Sequence, residues 1–455
     1  MYDVLHDNSS ALATRTSETG VVVSELTPSA CESLGGFARF RWIILTLIFS
    51  LSFCAFIERL TLSVAAERMM PELGITQAQV GWLLTAFVVG YTVCQFPGGL
   101  VGLRFGARRV LFVSALLSAA ANFSLILAPA VALGTSLVVL MWTSRLVLGI
   151  VQAPLYPVSS GALAAWFPPE EWAWALGLLV TGIGLGAAVT PPAVAWMMGA
   201  FGWRQSVCAA SVPGVAAAIL WWTFGRDGPN GKQDPASTVP ASGDGTILRQ
   251  SLALLVDRNV IALTISYVLD NAAVYLITYW SFLYLVQERH LTVLESGTLA
   301  SVPFLVGAIG AGIGGRLCDR LCVRFGARWG VRIVPLSVLP LVGAFLYLAA
   351  TISSPYMAVL ALTGCYTGLQ MTEGSYWSAA MRIGESRTMA VTGVLNTGGN
   401  LGGVLITPVI GYLSGNHAWI ACFAIGTVCV VGAALLWLVT NAIPPRDHTN
   451  TQRPP

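Results

Sequence analysis

Stretches of mostly apolar residues, each about as long as the 20 residues a helix needs to cross a bilayer, recur along the chain between short polar or Gly/Pro breaks. Twelve such stretches centre near Phe49, Val88, Leu117, Val147, Ile183, Val215, Ala272, Gly307, Val342, Leu369, Leu401 and Val430. The longest polar interruption, Gly225 to Arg258, is rich in Pro, Gly, Ser and Asp and divides six helices from six. The pattern predicts an all-α membrane protein with twelve transmembrane helices in two six-helix bundles, residues 37–224 and 259–441, joined by a cytoplasmic linker at 225–258. Residues 1–36 read as a disordered cytoplasmic tail and 442–455 as a second one. The first segment lacks the short apolar core followed by small residues that marks a cleavable signal.

Composition supports this class. Only 10% of the 455 residues are charged, against about 25% in soluble domains, so the missing surface charge implies a surface that faces lipid. A net charge of +3 is too small to suggest a nucleic-acid partner. The nine cysteines lie mostly in apolar runs and read as small hydrophobes. Cys318 and Cys322 have no further Cys or His to complete a metal site, and neither metal nor cofactor is expected. The Gly-rich stretches at 182–186 and 398–403 lack the Lys-Ser/Thr of a phosphate loop, and close helix packing explains them better.

Arginine sets the expected orientation, because Lys232 is the only lysine. With the N-terminus inside, Arg39, Arg41, Arg104, Arg108, Arg109, Arg226, Arg249, Arg258, Arg316, Arg320, Arg324, Arg328, Arg332, Arg382 and Arg387 are cytoplasmic, and only Arg68, Arg204 and Arg289 lie opposite. This fits the positive-inside rule and puts both termini in the cytoplasm. The halves also resemble each other. Thr181, Gly182, Leu185, Gly186, Pro192 and Trp203 recur 216 positions later as Thr397, Gly398, Leu401, Gly402, Pro408 and Trp419, and Gly99 recurs as Gly315.

The segment Pro97-Gly-Gly-Leu-Val-Gly-Leu-Arg-Phe-Gly-Ala-Arg-Arg109 resembles the loop signature of the major facilitator superfamily, and Gly315-Arg-Leu-Cys-Asp-Arg320 is its second copy. Leu103 stands where that signature carries an Asp, whereas Asp319 keeps it, so the latch the signature implies lacks its acid in the first half. Phe56-Ile-Glu-Arg-Leu-Thr-Leu-Ser-Val-Ala-Ala66, Arg145-Leu-Val-Leu-Gly149, Pro154-Leu-Tyr-Pro157, Trp166-Phe-Pro168 and Gly393-Val-Leu-Asn-Thr-Gly-Gly-Asn-Leu-Gly-Gly403 resemble the anion:cation symporter branch, which includes galactonate, glucarate, hexuronate and phthalate permeases. The resemblance implies a monomeric secondary transporter in a cell membrane, most simply a bacterial inner membrane. It would take up a small organic anion, a sugar acid or other monocarboxylate, with a proton. An efflux transporter of a metabolite or drug and an uncoupled facilitator stay open as alternatives. A non-transporting membrane sensor is disfavoured by the short tails, and an enzyme by the absence of a nucleophile–base pair.

Five charges fall inside apolar runs: Glu58, Arg59, Arg145, Asp270 and Glu373. Each costs about 2.5–3.5 kcal/mol or more at the bilayer centre, which implies a polar cavity or mutual pairing. Arg145 and Gln152 are seven residues apart, so two helical turns put them on nearly one face, about 10 Å apart. Arg145 and Arg59 are candidate carboxylate clamps through the planar fork of the guanidinium. The alternatives are neutralisation by an internal acid for Arg145 and snorkelling for Arg59. Glu58 and Arg59 point about 100° apart on one helix. The resemblance gives Glu58 the proton, with Asp270 and Glu373 as further candidates; a structural ion pair is the competing role. Gln152, a further substrate candidate, stands where the branch carries a titratable Glu. The resemblance further assigns Tyr91, Tyr275, Trp377, Asn396 and Asn400 to the substrate, while Trp280 reads as packing or interfacial belt.

Overall fold

The computed structural model describes residues 12–16, 22–26, 28–168, 171–228, 257–384 and 388–441. Most of the expected linker (229–256) and the expected tail at 442–455 therefore lie outside the described residues. Ahead of the bundle, Leu12–Thr16 and Val22–Leu26 pair as an antiparallel hairpin, in a stretch whose composition suggests disorder. The first helix starts at Pro28 and not near residue 37. Proline is preorganised for a first helical position, and apolar patterning alone marks only where the membrane-spanning part begins.

Twelve helices follow among the described residues: α1 (Pro28–Leu73), α2 (Gln77–Phe105), α3 (Ala107–Val131), α4 (Gly134–Gln152), α5 (Leu155–Trp166), α6 (Trp172–Phe201), α7 (Trp203–Phe224), α8 (Arg258–Gln287), α9 (Val293–Thr351), α10 (Pro355–Gly384), α11 (Thr388–Gly415) and α12 (Trp419–Val439). They do not map one-to-one onto the twelve expected passes. α4 and α5 together form one span. α9 runs 59 residues and breaks at Gly326 (φ 78°, ψ 160°), so it holds both the Gly307 and the Val342 centres. Every predicted centre lies in a helix. Nine described spans are long and apolar enough to cross a membrane. α10 and α11 are outside that group; they carry Glu373, Asn396 and Asn400.

Within the first half α1 packs on α6 and α7, α2 on α4, and α3 on α4 and α7; within the second, α8 packs on α11 and α12, and α9 on α10 and α12. Absent side chains permit the closest approaches. A Cβ on Gly149 would overlap the Phe87 carbonyl oxygen, and one on Gly90 the Leu146 oxygen, so α2 and α4 meet backbone to backbone. The loop between α2 and α3 is the single residue Gly106, at φ 83°, a left-handed step that favours glycine. Asp227 secures that turn by accepting from the Arg108 backbone N–H at 2.7 Å.

The halves meet through α2 on α11 and through α6 on α9, and these two seams are copies of one another. A Cβ on Gly81 would lie 3.1–3.3 Å from Thr407, Pro408 and Gly411, and one on Gly297 would lie 2.6–2.7 Å from Ala195 and Pro191. The pairs Gly81/Gly297, Pro191/Thr407 and Ala195/Gly411 are each 216 positions apart. The same spacing relates the turns before these helices. Gly74 (φ 65°) corresponds to His290 (φ 54°). Thr76 and Gln79 form a capping box, and so do Thr292 and Glu295, which satisfies N–H groups that helix starts leave free. The internal repeat thus extends to backbone conformation and caps. Gln77 donates to Ser414 at 2.9 Å across the first seam. Trp280 is 1% exposed with its ring edge against Gly411, so it packs at this closure and not in a lipid belt.

Gly149→Val should force α2 and α4 apart. Overpacking of this kind costs about 1–3 kcal/mol, so the thermal midpoint of the purified protein should fall by several degrees. Gly161→Ala, where a Cβ meets nothing within 4 Å, should leave it unchanged. Tryptophan-fluorescence melting of both variants checks the contrast.

Candidate functional site

α1 carries the two adjacent charges into different surroundings. Arg59 lines a cavity with Ser52, Phe56, Tyr91, Tyr156 and Ile183 among the other walls. Its guanidinium carbon sits 4.9 Å from the Phe56 ring centre and 4.6 Å from those of Phe87 and Tyr91. Cation–π contact of this kind stabilises by about 0.5–2 kcal/mol. The Arg59 Nε is buried without a hydrogen-bond partner. The ion pairs among the described residues are Arg41–Glu171, Arg68–Glu67 and Arg204–Glu72. None of the five charges in the bundle belongs to such a pair within 4.0 Å.

Glu58 turns into a small pocket shared with Cys54, Ser114, Ser118, Gln152 and Gly214. Gln152 Nε2 donates to Glu58 Oε2 at 3.3 Å and to the Ala55 carbonyl at 3.2 Å. Arg145 is 2% exposed. Its Nη1 donates to the Glu58 backbone carbonyl and its Nη2 to Asn122 Oδ1, both at 3.3 Å. Asn122 Nδ2 donates in turn to Ser211 Oγ at 3.0 Å and the Val207 carbonyl at 3.3 Å. Arg145 and Gln152 thus share a face of α4, as their spacing implies, and both grip α1 around residues 55–58. Arg145 is not among the residues lining the Arg59 cavity. Its hydrogen bond to the Glu58 carbonyl braces the α1 backbone.

A run of side-chain hydrogen bonds leads from the Arg59 cavity into the second half. Gln95 Nε2 donates to the Tyr91 hydroxyl at 3.5 Å, and Asn396 Nδ2 donates to Gln95 Oε1 at 3.1 Å. Asn400 Nδ2 donates to the Asn396 backbone carbonyl at 3.0 Å, and Asn400 Oδ1 accepts from the Tyr275 hydroxyl at 2.9 Å. Tyr279 lies 5.5 Å from Tyr275, centre to centre. Deeper in this half, Glu373 Oε1 accepts from the Tyr267 hydroxyl at 2.6 Å and from Trp377 Nε1 at 3.1 Å. Asp270 is 1% exposed, accepts from Thr372 at 3.2 Å and leaves Oδ2 without a partner.

Tyr91, Asn396, Asn400 and Tyr275 are therefore brought together with Arg59. Glu58 and Gln152 form a second group with Arg145, and Asp270, Glu373 and Trp377 surround a third. Sequence reasoning missed Gln95, Asn122, Tyr156, Tyr267 and Tyr279. Gln95 and Asn122 are amides inside apolar runs, and the test applied to charges would have found them. The tyrosines give no such signal, because a ring on an apolar face reads equally well as core.

The Major Facilitator Superfamily pattern matches residues 48–383. A D-galactonate transporter of Escherichia coli O6:H1 is 27% identical over 415 residues, covering 87% of this chain and 94% of that protein. A probable galactarate/D-glucarate transporter of Bacillus subtilis is 24% identical, covering 82% of this chain and 85% of that protein. A probable sulfoacetate transporter of Cupriavidus necator is 28% identical, with coverages of 82% and 87%. Among solved structures, a bacterial homolog of the human lysosomal transporter Spinster, inward-facing and occupied, superposes with a TM-score of 0.70 at 17% identity, covering 88% of this chain and 97% of that one.

Asn122→Leu should remove one acceptor from Arg145 and one donor each from Ser211 Oγ and the Val207 carbonyl, which keep their own hydrogen bond to each other. A buried group left unsatisfied costs about 1–3 kcal/mol, so the thermal midpoint should drop by a few degrees. An unchanged melt would show that the brace carries no strain-bearing role.

Proposed function

The chain belongs to the major facilitator superfamily, and from that premise we propose that this transporter takes up a small organic anion, a sugar acid or other monocarboxylate, together with a proton. The observation that carries the reading is Arg59: a cation on a cavity wall, surrounded by ring faces and outside any ion pair among the described residues. A planar guanidinium in low dielectric matches two carboxylate oxygens. Tyr91, Tyr275, Asn396 and Asn400 supply hydroxyls and amides for the rest of an oxygen-rich solute. The relatives named for galactonate and for galactarate/glucarate support the same chemical class. Arg145 serves this site by fixing the α1 backbone at Glu58, one residue from Arg59.

Glu58 is the proton carrier in this reading. It is 2% exposed, accepts one amide hydrogen at 3.3 Å, and has no cation within ion-pair distance among the described residues. A bare carboxylate in such a place costs several kcal/mol, which a bound proton removes. With the N-terminus in the cytoplasm of a bacterial cell, the closed seams at Gly81 and Gly297 lie on the outer side. The cavity is then reached from inside, one limit of alternating access around a midplane site.

Arg59→Ala should lower substrate uptake in proteoliposomes by two orders of magnitude or more while leaving melting without substrate near wild type. Arg59→Lys should recover only part, because an ammonium lacks the fork. Wild-type uptake by Arg59→Ala would overturn the anion site. Glu58→Gln should lose substrate-driven proton flux yet keep substrate exchange; undiminished flux would remove Glu58 from the role.

A further inference from the structure

The pocket behind α1 holds two stranded oxygens. Glu58 Oε1 and Gln152 Oε1 are both buried without a hydrogen-bond partner, on side chains 2% and 1% exposed. The other ends of the same two groups already meet, Gln152 Nε2 to Glu58 Oε2 at 3.3 Å. Both stranded atoms are acceptors when Glu58 is ionised, so neither can satisfy the other, and each unmet buried acceptor costs about 1–3 kcal/mol. A carboxylic acid has one O–H to give. A single hydrogen on Glu58 Oε1 would satisfy both atoms at once.

We propose that Glu58 and Gln152 form a one-proton site in which the loaded state is a cyclic acid–amide pair, Glu58 Oε1–H donating to Gln152 Oε1 while Gln152 Nε2 donates to Glu58 Oε2. This rests on Glu58 as the proton carrier and assigns Gln152 a distinct part in it. The amide is not a lost proton site; it selects the protonated form, because only that form closes the ring. Two hydroxyls, those of Ser114 and Ser118, share the pocket with the pair. Ser114 Oγ already donates to the Val151 carbonyl. The remaining walls include Leu51, Ala55, Ala115 and Leu155. Of the titratable or charged groups facing Glu58, Cys54 comes from α1 and Arg145 from α4; α3 offers Ser114 and Ser118, and α7 offers Gly214. Arg145 donates to the Glu58 backbone carbonyl, not to its carboxylate. It therefore biases the site by field without occupying either oxygen. The pocket holds one titratable carboxyl, so it loads one proton per cycle.

The test is pH-difference infrared spectroscopy on the purified full-length protein. Wild type should show a carboxylic-acid carbonyl band that disappears in Glu58→Gln. In Gln152→Leu that band should persist but move to higher frequency, since its carbonyl loses the amide donor and its O–H loses the amide acceptor. Gln152→Met, close in volume and also without an amide, should behave the same way and serves if the leucine variant does not fold. A Glu58 band that does not move in either Gln152 variant would overturn the acid–amide pair while leaving the proton carrier intact. Absence of any band assignable to Glu58 would instead remove the carrier reading beneath it.

Discussion

A guanidinium held among three aromatic rings, with no carboxylate in ion-pair reach among the described residues, is the constraint on which the rest of this structure turns. Taking a charge out of water costs several kcal/mol even after relaxation. Ring faces return about 0.5–2 kcal/mol of that. A carboxylate bound there would supply the opposite charge that the described residues do not. The rings also fix the guanidinium in place, so an anion need not spend its own binding energy ordering a flexible side chain. A cation already neutralised by an internal acid would have no such deficit, and no reason to prefer a solute over its neighbour.

The halves are alike in backbone and unlike in charge. The same turn, the same capping box and the same glycine contact recur at a spacing of 216 residues. Yet Arg59 and Arg145 belong to the first half, and Asp270 and Glu373 to the second. A duplicated scaffold supplies two equivalent moving surfaces. The chemistry differs between the copies, with both arginines and Glu58 around α1 and α4 and acids alone around α8 and α10. The hydrogen-bonded run through Tyr91, Gln95, Asn396, Asn400 and Tyr275 is where the two meet at the cavity. A solute bound to Arg59 would compete with or extend that run, and would thereby sense the position of the second half.

The fold was legible in the sequence because lipid imposes a coarse code: about 20 apolar residues per pass and arginines on one side. All twelve centres fell in helices, including the two merged in α9, whose apolar pattern does not show that the helix continues up to Gly326. The repeat was legible at Thr181 and Trp203 but not at Gly81 or Thr76, since a seam and a cap depend on what faces them. The site was legible as a set of charges and less so as an arrangement. Helical spacing put Arg145 and Gln152 on one face, and the structure agrees. Spacing cannot say what that face looks at, and it looks at the α1 backbone, which makes Arg145 a brace and leaves the cavity wall to Arg59.

The closed end shows how such a bundle can hold shut and still open. Inside each half, backbone contacts such as those at Gly90 and Gly149 are set among buried side chains that would leave cavities if withdrawn, at about 2–5 kcal/mol for a large residue. At Gly81 and Gly297 the contact is instead backbone against backbone or small side chain, with no knob to extract. Separating such surfaces breaks the Gln77 to Ser414 hydrogen bond. Because the two seams are equivalent by the internal repeat, they can part together, each half turning as a unit. A bulkier residue at either glycine would not merely weaken one helix contact. It would hold one seam apart while the other stayed closed, and the equivalence that lets the halves rock would be lost.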